Sequence, residues 1–117
     1  MKRSALARAV LLGALSLQPA ANALAADIAL RGVSTCALWA KGRAQDDAKY
    51  EKTWLTGYLS GLAFGLDVNF WGTKGTDELD TEAVWKWMDR YCAANAQSSL
   101  VQGAEKLFLE RAIKLDK

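Results

Sequence analysis

Cys36 and Cys92 are the two residues of this chain whose chemistry is easiest to assign. A bond between them would close a loop of about 57 residues, for which the chain-entropy model gives roughly 4 kcal/mol of stabilisation. Two free thiols or a redox-active pair are the alternatives. Redox pairs usually lie close in sequence, as in C-x-x-C, so the wide spacing favours a structural disulfide.

Histidine is absent, which removes the commonest general base and the commonest metal ligand. With both cysteines in a disulfide, the usual zinc ligand sets are excluded as well. The sequence also contains no phosphate loop, dinucleotide fingerprint or nucleophile elbow. We therefore expect no metal, no cofactor and no enzyme activity.

The loop predicted between residues 67 and 80 matches a calcium-binding EF-hand loop only in part. Four of its positions carry a suitable residue: Asp67, Asn69, Gly72 and Glu78. Position five, however, is Trp71, which has no side-chain oxygen, and position eight is Lys74, a cation. Calcium binding is therefore not predicted.

Four carboxylates lie around the start of the third predicted helix. They could form the acid–base pair of a small hydrolase: Asp77, Glu78, Asp80 and Glu82. Acidic residues also stabilise a helix N-terminus by capping it and by interacting with its dipole. We interpret the cluster in this second way.

Apolar residues recur at spacings of three and four, which predicts an all-α fold: a small four-helix bundle closed by one disulfide. The predicted helices span about 36–44, 48–66, 81–94 and 100–115. Their predicted N-caps are Ser34 or Thr35, Asp46 or Asp47, Asp80 or Thr81, and Ser99, the last in a capping box with Gln102.

Three glycines, Gly57, Gly61 and Gly65, recur every four residues in the second predicted helix. Together they cost roughly 3 kcal/mol of helix propensity relative to alanine. They form a bare stripe that another backbone can approach closely. We expect this stripe to pack inside the domain, against helix one or four; the alternative is a homodimer seam or a partner groove.

Aromatic residues supply the other candidate contacts. Trp39 and Trp54 lie on apolar stripes and are expected in the core. Phe70 and Trp71 lie in the predicted loop. Trp87 follows Trp85 by two residues, so the two side chains project from different sides of the third helix. Phe70, Trp71 and Trp87 are therefore candidate partner contacts, although the two loop aromatics could instead cover the end of a small core.

The first 25 residues have the layout of a cleavable secretory signal peptide. Three basic residues precede a short apolar run, and small residues occupy the peptidase positions before residue 26. The run is about half the length that spans a bilayer, which argues against an uncleaved anchor. We expect one helical, disulfide-closed domain, residues 26–117, in the periplasm.

The charge balance changes once the signal peptide is removed. The whole chain carries +2, with 15 basic and 13 acidic residues, but three of the basic residues belong to the signal peptide. The mature part is therefore slightly acidic. We expect neither nucleic acid nor, after signal cleavage, a membrane as partner.

Three segments together resemble a known group of proteins. They are Thr35-Cys36, the run WLTGYLSG at 54–61 and the run WMDRYC at 87–92. The chain resembles the small proteobacterial periplasmic proteins of the HdeA-like type over about residues 34–112. It is also similar to the Tai-type immunity proteins, which bind secreted amidase effectors.

The resemblance implies an all-α fold, no enzyme activity and function through binding other proteins. In the HdeA-like reading the protein is a stress-associated chaperone whose partners are unfolded clients. In the alternative reading it is an immunity protein that binds and inhibits a secreted cell-wall-degrading effector. Either version could form a homodimer.

Overall fold

The computed structural model describes residues 28–116, and the compact unit within them begins at Arg31. Its helices are α1 (Cys36–Ala44), α2 (Lys49–Leu66), α3 (Thr81–Ala94) and α4 (Leu100–Leu115). Residues 28–116 form no β-strand, although Thr35 and Ser99 meet in an isolated antiparallel bridge. The all-α prediction is confirmed, and the predicted signal peptide (1–25) lies outside the described residues.

A disulfide joins Cys36, at the start of α1, to Cys92, near the end of α3, as predicted. The two Cα atoms are 5.0 Å apart and both side chains are buried. The Cys36 N–H donates to the Ser98 carbonyl, and the Leu100 N–H donates to the Ser34 carbonyl, each at 3.0 Å. These backbone bonds bring the start of α4 to the same place as the disulfide.

Three helices begin where the sequence predicted because a side-chain oxygen caps each one. Thr35 caps α1 by accepting from the Leu38 N–H at 3.1 Å, and Asp80 caps α3 by accepting from the Glu82 N–H at 2.9 Å. Ser99 caps α4 in the predicted capping box. Asn95 is the C-cap of α3, at the predicted end of that helix.

The predicted cap of α2 is wrong. Its N-cap is Ala48, which makes no side-chain cap bond, whereas Asp46 and Asp47 lie in the turn that follows the C-cap of α1 at Gln45. Asp46 has a left-handed φ of 53°, and the Asp47 N–H donates to the Gly42 carbonyl at 2.7 Å. A Cβ at Gly42 would lie 2.8 Å from the Asp47 carbonyl oxygen, so this tight turn needs a glycine at position 42.

The core lies between the inward sides of all four helices. Trp39 is fully buried and its ring centroid is 6.0 Å from that of Trp85. Trp54, which was expected in the core, is only half-buried. It lies at the edge of the core, where its ring stacks on that of Tyr58. The buried residues of α4 are Leu100, Gly103, Ala104, Leu107 and Phe108.

Gly103 marks a close contact between α4 and α3. A Cβ at this position would lie 2.7 Å from Met88 Sδ and 2.8 Å from Tyr91 Cδ1. Real Cβ atoms essentially never come this close to another atom. The missing side chain at Gly103 therefore makes room for the two α3 side chains.

Candidate protein-interaction surface

The outward side of α2 has no charge over most of its length. Fourteen residues in succession, Thr53 to Leu66, are uncharged, and Lys52 and Asp67 flank them. We call the exposed members of this run that point away from the core the α2 face: Thr53, Gly57, Ser60, Gly61, Phe64 and Gly65. The Phe64 residue is 92% exposed, although phenylalanine is usually buried.

The three glycines lie on the α2 face, and, apart from the adjoining part of α2 itself, no atom of residues 28–116 lies within 4 Å of a Cβ built at any of them. The prediction that they pack inside the domain is therefore wrong. At 100° per residue the buried Leu55 and Leu59 define the inward side of α2, and the glycines fall on the other side. Contact with a second copy or a partner stays a prediction.

An apolar groove of about 230 Å³ lies between α2 and α4, beside the α2 face. Its lining residues are Leu62, Leu66, Glu105, Phe108 and Leu109. Leu66 and Leu109 are each 60% exposed. The groove therefore adds exposed apolar area to that of Phe64, which precedes Leu66 by two residues on α2. Contiguous apolar surface on a small domain is typical of a binding site.

One polar contact fixes the charged wall of this groove. The Tyr58 hydroxyl donates to Glu105 Oε1 at 2.9 Å. Burial, together with this bond to a carboxylate, raises the pKa of Tyr58 to about 12. The hydroxyl therefore keeps its proton at any physiological pH and holds Glu105 in place.

The loop aromatics have different environments. Phe70 is fully buried and stacks on Phe108, with ring centroids 5.2 Å apart, so its prediction as a partner contact is wrong. The reason is that the loop folds back and covers the end of the core. Trp71 is half-buried and donates from Nε1 to Ser60 Oγ at 3.0 Å, which places it beside the α2 face.

Trp87 lies away from the α2 face. It is half-buried, and its Nε1 donates to Glu110 Oε2 at 3.2 Å. Its ring stacks on Tyr91 at a centroid distance of 5.4 Å. The three candidate aromatic contacts therefore do not form one surface.

Arg111 holds the 67–80 loop in a defined conformation. Its Nε donates to the Phe70 carbonyl at 2.8 Å, and its Nη2 donates to the Asp77 carbonyl. The Leu79 N–H donates to the Trp71 carbonyl at 2.8 Å, which closes the loop. The role of Arg111 could not be predicted from the sequence, because it binds backbone oxygens, which every residue has, rather than a carboxylate.

The acidic loop residues are used locally. Asp67 is the left-handed C-cap of α2, and Asp77 Oδ1 accepts from the Thr73 N–H at 2.8 Å. Among residues 28–116, no group of three His, Cys, Asp or Glu side chains could hold a metal ion. The partial EF-hand pattern therefore corresponds to turn and cap contacts in this part of the chain.

Asp89 links α3 to α1 through charge. Arg43 donates from Nε and Nη2 to the two Asp89 oxygens, at 2.9 and 2.8 Å, and Trp39 Nε1 donates to Oδ1 at 2.8 Å. The Arg43 bonds, with that of Trp39, hold the pKa of Asp89 below its usual range despite some opposing desolvation. The pKa of Arg43 is raised, mainly by the same bonds.

The chain matches no known protein family, no curated protein and no solved structure at a significant level. Within residues 28–116 no helix is both long and apolar enough to cross a membrane.

Proposed function

We propose that this protein is an exported, non-enzymatic protein-binding protein of the HdeA-like type that works in the periplasm. The observation that carries the proposal is the α2 face: a charge-free helix side on which Phe64 is 92% exposed and three glycines are open. Three glycines in a helix interior lower the helix propensity of α2. A partner that packs against this side of the helix would explain why they are present.

The surface fits a protein partner better than a small ligand. The glycines let a backbone or a bulky side chain approach α2 closely, and Phe64 supplies an aromatic anchor of the kind that contributes most to interfaces. The buried disulfide is consistent with an oxidising compartment such as the periplasm.

The leading version is a chaperone that protects unfolded clients under acid stress. The ion pair between Asp89 and Arg43 supports it, because protonating Asp89 removes a contact between α1 and α3. The disulfide between the same two helices would limit the expansion that follows. Acid would then enlarge the apolar surface while most of the helix content remains.

The test uses the disulfide-closed domain, residues 26–117, with the variant Phe64→Ser. Aggregation of an acid-unfolded client is followed by light scattering at pH 7 and at about pH 3, where carboxylates are largely protonated. The wild-type protein should suppress aggregation at the lower pH, and Phe64→Ser should lose most of that protection.

The matched control is Leu38→Ser, which removes a half-exposed apolar side chain from α1 rather than α2. It should protect the client as well as the wild type does. Equal loss in both variants would show that the α2 face is not the contact, and no protection by the wild type would end the chaperone version.

The ordered 67–80 loop favours a second candidate, an immunity protein with one dedicated effector. A loop already held by Arg111 loses little conformational freedom on binding, as a tight, specific complex requires. This candidate requires an effector gene beside this one, and the assay is peptidoglycan hydrolysis by the amidase that such a gene encodes, with and without this protein. Undiminished hydrolysis at excess protein would reject this candidate.

A further inference from the structure

A second concave site lies between α3 and α4 and shares no residue with the α2 face. Its volume is about 240 Å³, smaller than the usual 300–1,000 Å³ of ligand pockets. Apolar side chains from both helices and the loop line it: Leu79, Ala83, Val84, Trp87 and Leu107. A space of this size suits a body about as large as one amino-acid residue.

The charges around this cleft are mostly positive. Arg90 comes from α3, and Arg111 and Lys114 come from α4, whereas Glu110 is the single carboxylate among the lining residues. Residues 28–116 together contain eleven basic and twelve acidic side chains. The cleft is thus a local positive site on a domain of slightly negative charge.

Neighbouring carboxylates do not pair with these cations. Both ion pairs formed within residues 28–116 involve Arg43, so no described carboxylate lies within 4 Å of the Arg90 or Lys114 nitrogen atoms. Glu110 accepts the Trp87 Nε1–H at 3.2 Å, which fixes it against the indole. Cations that meet an apolar hollow without a partner carboxylate can receive one from a ligand.

We infer that this cleft binds a small carboxylate with an apolar body. The carboxylate lies towards Arg90 and Lys114, and the body contacts Trp87 and Leu107. Two sources share this chemistry: a free aliphatic or aromatic acid, and the C-terminal residue of a peptide. Arg111 already donates to two loop carbonyls and therefore shapes the cleft more than it binds the ligand.

The first experiment titrates the domain with phenylacetate and follows the indole Nε1–H signal of Trp87 by NMR. Phenylacetamide, which has the same ring without the charge, is the control ligand. We expect a dissociation constant of about 1 mM for phenylacetate, given its few non-hydrogen atoms, and at least about tenfold weaker binding of the amide. Equal binding of acid and amide, or an unmoved Trp87 signal, would overturn the inference.

Variants then locate the carboxylate. Arg90→Gln and Lys114→Gln should each weaken phenylacetate binding by about fivefold or more. Lys86→Gln on α3 and Lys106→Gln on α4 are the matched controls, since both residues are exposed and neither lines the cleft. Losses no larger than those of the controls would reduce the site to general charge attraction and overturn the inference.

Two further measurements complete the test. Ala83→Leu should block the cleft without changing charge, and unchanged binding would place phenylacetate elsewhere. A short peptide ending in phenylalanine is compared with its C-terminal amide and with phenylacetate. Tighter binding of the free-acid peptide than of phenylacetate identifies a peptide C-terminus as the source; tighter binding of phenylacetate identifies a free acid. Melting temperatures confirm that every variant is folded.

Discussion

Gly103 on α4 and the glycines of α2 all lie inside helices, yet their surroundings are opposite. A Cβ at Gly103 would collide with Met88 and Tyr91, whereas a Cβ at Gly57, Gly61 or Gly65 would meet no other atom of the part of the chain that the structure describes. The first glycine serves a contact within the domain. The other three have no internal purpose, which is why we associate them with a partner.

The comparison extends to the two sides of the molecule. On the packed side, the disulfide, the Gly103 contact and the Asp89 ion pair join α1, α3 and α4. On the open side, no atom of residues 28–116 beyond the adjoining part of α2 lies within 4 Å of a Cβ built at Gly57, Gly61 or Gly65, and Trp71 reaches the α2 face only at Ser60. Changes on the packed side should therefore destabilise the domain, and filling the open side should stabilise it.

The largest effect is expected from removing the disulfide. Replacing Cys36 and Cys92 by alanine should cost about 4 kcal/mol, because the unfolded chain regains the freedom of a long closed loop. The melting temperature should fall by well over about 10 °C. Calorimetry measures this, and mass spectrometry after alkylation of the native protein should find no free thiol. A melting temperature within a few degrees of wild type would contradict the packed-side assignment.

A smaller loss is expected for Gly103→Ala. The added methyl must displace the Met88 thioether and the Tyr91 ring, so despite better helix propensity we expect a net loss of about 1–2 kcal/mol. Urea unfolding measures the difference. A gain in stability would show that Met88 moves aside at little cost. The contact between α4 and α3 would then not require a glycine at position 103.

Asp89→Asn should cost about 1 kcal/mol at pH 7, a value reduced by the partial exposure of the pair. Because the pKa of Asp89 is lowered in the folded state, its stabilisation is complete above the unfolded pKa and disappears as pH falls through the folded one. The variant and the wild type should therefore begin to converge in stability as the pH falls below about 4, and should become equal only below the lowered folded-state pKa of Asp89. Urea unfolding at several pH values tests this. The control is Asp47→Asn, which removes an exposed carboxylate that forms no ion pair within residues 28–116.

Gly61→Ala should act in the opposite direction and give the smallest effect. With open space around the position, the better helix propensity of alanine should add about 0.5–1 kcal/mol. The same variant should bind a client or effector less well if the α2 face is the contact. Lower stability of the isolated monomer would mean that another part of the same chain packs against this face in solution.

Local signals made most of the fold predictable. Helix periodicity and the caps at Thr35, Asp80 and Ser99 set the helix boundaries to within a residue or two, and two cysteines allow a single intramolecular pairing. Asp46 and Asp47 misled the prediction because their backbone, and not their carboxylates, forms the turn that ends α1: Asp46 has a left-handed φ, and the Asp47 N–H donates to the Gly42 carbonyl.

The binding surfaces were less predictable, for physical reasons. A glycine has no side chain whose polarity shows which way it faces, so Gly61 and Gly103 look alike in sequence. The burial of Phe70 depends on Arg111, which lies 41 residues away along the chain and binds its carbonyl. Such contacts are set by the three-dimensional arrangement, and no spacing rule announces them.

The position of the disulfide also decides how the domain would respond to a pulling force on its two ends. The Cα atoms of Cys36 and Cys92 are 5.0 Å apart. Without the disulfide, the unfolded chain between them could extend to roughly 190 Å. Tension therefore bypasses α1, α2 and most of α3. Only α4 and the short flanking segments can be drawn out, so a force applied at the C-terminus would peel α4 from a core whose remaining helices stay linked in a covalent ring.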